Sequence, residues 1–600
     1  MMIIVVVLLT LILIGILELN KNTVWGAVLA IAASAEFLFV WPRLVAGSPL
    51  LYQVLAWIVY LVCLAIIFYI SLGPVKARPA VPEKDPRTTK VVTVEQGRLI
   101  GVYTADKEVE VYTGIPYAKP PVGDLRWKAP QDPEPWDDVF KADHFGPMSM
   151  QKLTPRILDS LTRIMAFHDY KVTLQDDFRD RISEDSLYLN IWKPVTEETG
   201  LPVLVFIHGG SLTNGQTWYQ DHSGEGLARK GVIVVNMAYR LGVFGFLADP
   251  DLADESESGT SGNYGLLDQI KALEWVQKNI AAFGGDPDNV TLAGESAGAV
   301  CVSALCTSPL ARGLFRRAVV ESSTAAAPEP AHSFCSLEDA YEAGKALKEH
   351  CKVKDLNGLR RLKAKDLLWG TKQIHHITVD GYVLPETPYA SYVKGICNEE
   401  ALLHGFNQLE GQAFVMKDKV KLDNYQYNVK KLFKTEANDV MELFPASSDA
   451  EAKKNWIDLF SAYYFTYGHD CLTRLCKKNG IPVYPYYFTK NNKRIGANHA
   501  GEMIYLYHMI PKDSKLFTAE DRALSDLMSD YLVSFVKTGD PNGADRTVWP
   551  SGTFLEWGEE VRTAEDRFDA LYRILDRLQK ADAIAEDTSA AGSIPSNDPA

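Results

Sequence analysis

Ser296 stands between two glycines in Gly294-Glu295-Ser296-Ala297-Gly298, with the run Asn289–Ala293 before it and a stretch of small residues from Ala297 to Cys306 after it. A serine at the sharp turn between a strand and a helix has its hydroxyl pushed out over the end of a sheet, and the flanking glycines let neighbouring backbone pass. The helix that follows aims free N–H groups at the spot where an oxyanion would form. Ser296 is therefore a candidate nucleophile for acyl transfer. Such a serine needs a base and an acid that orients it, in the chain order Ser, Asp or Glu, His. The residues alone leave choices open: His375, His376, His404, His499 and His508 all follow the serine, and Glu321, Asp380 and Glu410 lie between it and His499. Gly496 and Gly501 mark a loop around His499, the kind of element on which reacting groups tend to sit.

The second requirement is a set of donors for the oxyanion. His208-Gly209-Gly210-Ser211 follows the apolar run Pro202–Ile207, as a donor loop should. The backbone N–H groups of Gly210 and Ser211, with that of Ala297, are the candidates, and losing one such donor costs about 3 to 4 kcal/mol of transition-state stabilisation. His208 reads as a residue that packs or holds the loop, and Glu295 as one that tunes the local field. No His/Cys/Asp cluster has zinc-like spacing, so neither a metal nor an organic cofactor is expected.

The elements that must position these residues read as an α/β protein. From Val91 to about Arg577, short β-rich runs alternate with helical stretches. Pro202–Ile207 and Gly231–Asn236 read as buried strands, Asn289–Ala293 as the strand feeding the serine, and Tyr264–Ile280 as an amphipathic helix. No internal repeat is visible. The chain has 62 basic and 76 acidic residues. The first 90 residues hold seven Lys or Arg against four Asp or Glu, so the acidic excess lies wholly beyond them. Nothing in that large part offers a basic stripe for phosphates, which disfavours a nucleic-acid partner. Residues 581–600, rich in Ala, Ser, Asp and Pro, read as a disordered tail.

The N-terminal residues have another composition. The apolar runs Met2–Leu19, Val24–Trp41 and Leu51–Leu72 are each long enough to cross a hydrocarbon core of about 30 Å as a helix. A cleaved signal is the rival reading, but Met1-Met2 brings no basic start and two further runs follow. Trp25, Trp41, Tyr52 and Tyr69 lie near the ends of runs, as an interfacial belt requires. Glu36 lies inside the second run, as a helix-packing contact or as a side chain reaching the headgroups. The expected organisation is a three-span anchor over residues 1–74, a proline-rich linker over 75–90, a catalytic domain over 91–580 and the tail over 581–600.

Several ordered blocks extend the pattern beyond the serine. They are Gly114–Trp127, Glu184–Trp192, Asn263–Gln269, Phe283–Gly298 and Asp380–Pro388. With these blocks the chain resembles the type-B carboxylesterases, the group that includes cholinesterases and bacterial and fungal esterases, over nearly all its length after residue 90. The resemblance implies an α/β-hydrolase fold with a large, twisted, mostly parallel sheet. It also picks out Glu410, in Gly405–Gly411, as the triad acid and His499, in Gly496–Glu502, as the base. The family pattern carries a third glycine where Ser211 stands, so a side chain narrows the pocket there. Many members close a disulfide at positions matching Ser149 and Ser186, and both are serine here. In the cholinesterase branch a tryptophan before the second of these positions receives the choline cation. Gln151–Ser183 contains no tryptophan, which argues against choline esters, although Phe167 and Tyr170 are available to line a pocket.

These readings converge on a membrane-anchored serine esterase that acts on a small ester through an acyl-enzyme, with the bilayer as partner of residues 2–72. A hydrolase-fold scaffold without activity is the second reading, disfavoured by the intact Ser296, Glu410 and His499. A sensor or transport protein is the third, for which three spans with Glu36 as the one charge well inside a run make a poor path. Lys76, Arg78, Lys84, Arg87 and Lys90 follow the last span while no basic residue precedes the first. That bias and the serines at the disulfide positions favour a cytoplasmic catalytic domain over an extracytoplasmic one. Cys335 and Cys351 remain a pair that could still join.

Overall fold

Eleven mostly apolar stretches assemble into one mixed sheet in the computed structural model of the chain, which describes residues 2–20, 22–153, 179–329, 334–370, 376–492, 496–565 and 568–581. In chain order they are β1 (Val102–Tyr103), β2 (Val109–Pro116), β3 (Tyr188–Pro194), β4 (Leu201–Ile207), β5 (Ile233–Met237), β6 (Gly285–Glu295), β7 (Arg317–Glu321), β8 (Ala401–Asn407), β9 (Val483–Phe488), β10 (Phe554–Trp557) and β11 (Val561–Ala564). Across the sheet the order is β11-β10-β9-β8-β7-β6-β4-β5-β3-β2-β1. The strands from β5 to β10 are parallel, and antiparallel strands flank them on both sides. Every residue of β4 is buried, which is why its sequence is a continuous apolar run rather than an alternating one. β6 begins four residues earlier than Asn289, the expected start, because pairing with β4 resumes at Leu201 and Gly285 beyond an irregularity in register.

Two compact units divide the chain: residues 1–78 with 153–181, and residues 79–152 with 182–600. The first contains three helices long and apolar enough to cross a membrane, Met2–Leu19, Val24–Val45 and Leu50–Ile70. We label them α1 (Met2–Leu19), α2 (Val24–Val40, continued by a wider turn to Val45) and α3 (Leu50–Ile70). A chain of hydroxyls ties them together: Thr10 donates to Ser34 (2.7 Å), and Ser34 and Tyr60 are 2.8 Å apart. The buried stripe of α2 is Gly26, Ala30 and Ser34, so its small residues serve packing within the unit. Glu36 is exposed in the last third of α2, off the buried stripe that packs within the unit.

The proline-rich stretch 75–90 is not a free spacer. Val75–Lys76 pairs in parallel with Arg179–Asp180, and the Arg78 guanidinium grips the Asp180 carboxylate at 3.0 and 3.1 Å within the first unit. In the second unit the Ala80 N–H donates to the Asp143 carbonyl (2.8 Å), and the Tyr103 N–H to that of Arg87 (2.9 Å). Proline lacks a donor but leaves its neighbours free to pair at an edge, and composition alone did not distinguish that case from a linker. Ala581 is buried; the rest of the expected tail, like Phe167, Tyr170 and His375, lies outside the described residues.

Helices α4 (Tyr264–Asn279) and α5 (Ala297–Thr307) are packed with the sheet, and every residue of α5 is buried. One buried ion pair ties α4 to the segment leaving β5. Arg240 donates from Nε and Nη2 to the two Asp268 oxygens (2.8 and 2.7 Å) and from Nη1 to the Lys128 carbonyl (2.8 Å), with side-chain exposures of 3% and 0% for the pair. Removing one partner strands the other charge without solvent. Asp268→Ala should therefore lower unfolding stability by about 3 to 5 kcal/mol, read as a shifted denaturant midpoint. A midpoint within error of the parent would show that the pair contributes nothing.

Candidate active site

Ser296 is the entire connection between β6, which ends at Glu295, and α5, which begins at Ala297. Its backbone has φ 55° and ψ −124°, a conformation that costs a serine about 1 to 3 kcal/mol unless its surroundings enforce it. They do so by hydrogen bonding and by contact. The Ser296 N–H donates to the Glu321 carbonyl at the end of β7 (2.9 Å), and its own carbonyl accepts from Val300 (3.1 Å). A Cβ on Gly298 would strike the Ile207 carbonyl oxygen at the end of β4, and one on Gly294 would lie 2.6 Å from the Gly298 carbonyl carbon. Only glycine lets these chains cross.

The loop after β4 turns back under the serine. Gly210, Ser211 and Leu212 have φ values of 105°, 54° and 57°, a left-handed run that gathers successive N–H groups on one side. Among the described residues none accepts a hydrogen bond from the amides of Gly210, Ser211 or Ala297. Ser211 occupies a conformation that favours glycine, which gives a physical reason for a glycine at that position, and its side chain is exposed. His208 is buried, stacks on Tyr239 with ring centroids 4.6 Å apart, and is held down to about 4 by burial. It is a neutral packing residue.

The segments after β8 and β9 bring the remaining expected residues to the serine. His499 Nε2 lies 2.9 Å from Ser296 Oγ, and His499 Nδ1 lies 2.5 Å from Glu410 Oε2. Glu410 is fully buried, and its other oxygen accepts from the Asn407 N–H (2.7 Å) and from Asn407 Nδ2 (3.1 Å). All four segments start from the carboxyl ends of parallel strands, where open α/β sheets place ligands.

Around this chain of bonds lies a set of buried acids. Glu295 Oε1 is 3.3 Å from His499 Nε2 and has no hydrogen-bond donor, and burial pushes Glu295 up to about 8. Burial opposes charge on His499, but Glu410 and then Glu295 outweigh it and raise the imidazole to about 9. Glu502 accepts from Ser322 (2.9 Å), Tyr486 (2.9 Å) and Asn407 Nδ2 (2.5 Å), while Glu321 accepts from Tyr507 (2.8 Å). Burial raises both carboxyls above their ordinary range. Asn407 thus shares its two amide hydrogens among Glu410, Glu502 and Ser322, whose Oγ is 2.9 Å away. Asn407 and Glu502 lie inside the two segments that single out Glu410 and His499, but their sequence gave no hint that one amide would bridge the two acids. Phe414 and Phe465 were also missed; their rings lie 5.2 and 5.1 Å from the His499 ring.

The rival residues go elsewhere. Asp380 accepts from Tyr382 and Leu384 N–H (3.1 and 2.9 Å) and so closes a turn. His404 is buried on β8 with Nδ1 2.9 Å from His469 Nδ1. Ser149 and Ser186 are hydrogen-bonded at 3.0 Å. All eight cysteines are free, Cys335 and Cys351 included, and no metal-competent group of His, Cys, Asp and Glu occurs among the described residues.

Comparison with known proteins identifies the family. The model of the carboxylesterase family matches residues 88–563. Fumonisin B1 esterase of Sphingopyxis macrogoltabida is 32% identical over 529 residues, covering 84% of this chain and 92% of that protein. Para-nitrobenzyl esterase of Bacillus subtilis is 33% identical over 491 residues, covering 77% and 93%. A solved PNB esterase superposes with a TM-score of 0.68 at 31% identity, covering 81% of this chain and 99% of that one. A carboxylesterase of Geobacillus stearothermophilus gives 0.68 at 30%, covering 81% and 99%. The chain belongs to the carboxylesterase family and is a carboxylic ester hydrolase built on the α/β-hydrolase fold.

Proposed function

We propose that the protein is a membrane-anchored serine esterase that works through an acyl-enzyme, with Ser296 as nucleophile, His499 as base and Glu410 as the acid that orients it. The observation that carries this reading is the continuous line of hydrogen bonds from Ser296 Oγ through both ring nitrogens of His499 to Glu410. Ser296 attacks the ester carbonyl while His499 takes its proton. The N–H groups of Gly210, Ser211 and Ala297 receive the tetrahedral oxyanion, and His499 then protonates the leaving alcohol. Water repeats the sequence on the acyl-serine. Ser296→Ala should lower the turnover of a short aryl ester by about five to six orders of magnitude, as loss of a triad nucleophile does. Unchanged turnover would remove Ser296 from the mechanism.

The pH dependence follows from the acids beside the ring. Only the neutral imidazole can accept the serine proton, and Glu410 and Glu295 favour the charged form. The acid limb of kcat/KM should therefore lie above the value of a free imidazole, about 6.5, with activity climbing toward pH 9. Glu295→Gln withdraws one of the two charges and should move that limb to lower pH. A rate that is flat from about pH 5 to 8 would count against His499 as base, and an unmoved limb in Glu295→Gln would count against the electrostatic role of Glu295.

The three apolar helices are read as spans, and the basic residues after the third as a cytoplasmic flank. Two of those charges, Arg78 and Lys90, are paired with Asp180 and Glu197. Protease added to intact cells should leave the hydrolase domain uncut. Its loss while cytosolic markers survive would place it on the other face.

A further inference from the structure

Phe414 connects the site to the outer surface. Its ring lies 5.2 Å from that of His499, yet it is 47% exposed. The chain beyond it carries Met416, 76% exposed, and Tyr427, 69% exposed. Between residues 414 and 434 there are six lysines and two aspartates, in a protein whose formal charge is −14. Lys417, Lys419 and Lys421 are exposed, as are Lys430, Lys431 and Lys434. None of the six takes part in an ion pair among the described residues. The nearby acids cancel them only in part: Glu436 and Asp439 are taken by Arg577, and against Asp418 and Asp423 the six lysines leave a formal excess of four positive charges. The helix Leu422–Phe433 turns Tyr425, Val429 and Phe433 into the core, leaving Tyr427 with Lys430 and Lys431 on its outer face. Whole-chain charge conceals this local excess, so the expectation that the large part lacks any basic stripe does not hold here.

Exposed aromatic and thioether side chains ringed by lysines make a surface that wets poorly in water and is attracted to negative charge. We propose that the Phe414–Lys434 surface docks on an anionic lipid bilayer, so that the esters reaching Ser296 are lipophilic ones delivered from within the membrane. This rests on the reading of the protein as an anchored esterase. The lysines supply long-range attraction to anionic headgroups, Met416 and Tyr427 enter the interface, and Phe414 borders both the lipid and the imidazole. An acidic protein would answer the lysines but not the apolar side chains among them.

The full chain, reconstituted in vesicles of phosphatidylcholine alone or with about one-third phosphatidylglycerol, provides the test. A fluorophore on Met416→Cys reports contact through quenching by nitroxide-labelled lipids, with the unsubstituted chain labelled in parallel as background. Quenching should occur in the anionic vesicles, weaken at high salt, and vanish when Lys417, Lys419 and Lys421 are each changed to Glu. The same triple variant should lose about tenfold or more in hydrolysis of a long-chain ester dissolved in the vesicles. Its rate on a water-soluble short ester should be unchanged, which also shows that it is folded.

Equal quenching in both lipid compositions, no quenching in either, or equal loss of both activities would overturn the proposal. So would a Met416 probe shielded in lipid-free micelles, as a second copy or another protein would make it. Failure of the underlying readings is separable. Ser296→Ala that still cleaves the soluble ester refutes the esterase mechanism. A chain that alkaline washing releases from membranes refutes the anchor, and the quenching test then proceeds by adding vesicles to the released protein.

Discussion

The crossing of β4 and α5 beneath Ser296 is the contact on which the site depends. Ile207 and Gly298 approach so closely that no side chain fits between them, and the serine backbone is left at φ 55°. A strained residue of this kind does not hold itself. It is held because β4, β6 and β7 are parallel and in register, with Gly294 opposite both Ile207 and Val320. The strained turn is thus enforced by the most deeply buried part of the sheet, and the energy that keeps Ser296 in place is the energy of the core. The same strands end level with one another, so the loops carrying Gly210 and Ser296 emerge side by side.

Around His499 the protein concentrates acid rather than base. Glu295, Glu410 and Glu502 are all within the electrostatic reach of the ring, and Glu321 lies behind them, bonded to Tyr507. Three of these carboxyls are met by donors, Glu321 by Tyr507 and the pair Glu410 and Glu502 through the amide of Asn407. The result is an interior that favours a positive imidazole, the state that the proposed attack by Ser296 would create. Charge that develops transiently on the ring is met by groups already in place.

How much of this was legible depends on distance along the chain. The elbow is local: five residues and a strand before them suffice, and the strand and helix around them fell within a few residues of their expected bounds. Glu410 and His499 are far from Ser296 in sequence, and several other acids and histidines were equally available to residue-by-residue reading. Only the resemblance of whole segments separated them. Asn407 and Ser322 come from two strand ends and Glu502 from the segment after a third strand, and these meet only after the sheet forms, so no pattern in the sequence marks their hydrogen bonds. Residues 75–90 show a limit of another kind: prolines and charges describe a linker, and the backbone partners that these residues also have come only with the fold. Glu36 was legible as a residue out of place, but not which side of its helix it would occupy.

The Ser149–Ser186 hydrogen bond spans 37 residues of chain. A covalent link across such a loop would withdraw about 4 kcal/mol worth of conformational freedom from the denatured chain, whereas a hydrogen bond withdraws none once the protein unfolds. With all eight thiols free, the fold stores no stability in sulfur chemistry. Its hold on the native state therefore rests on no bond that a reductant could break, and a reducing compartment takes nothing from it.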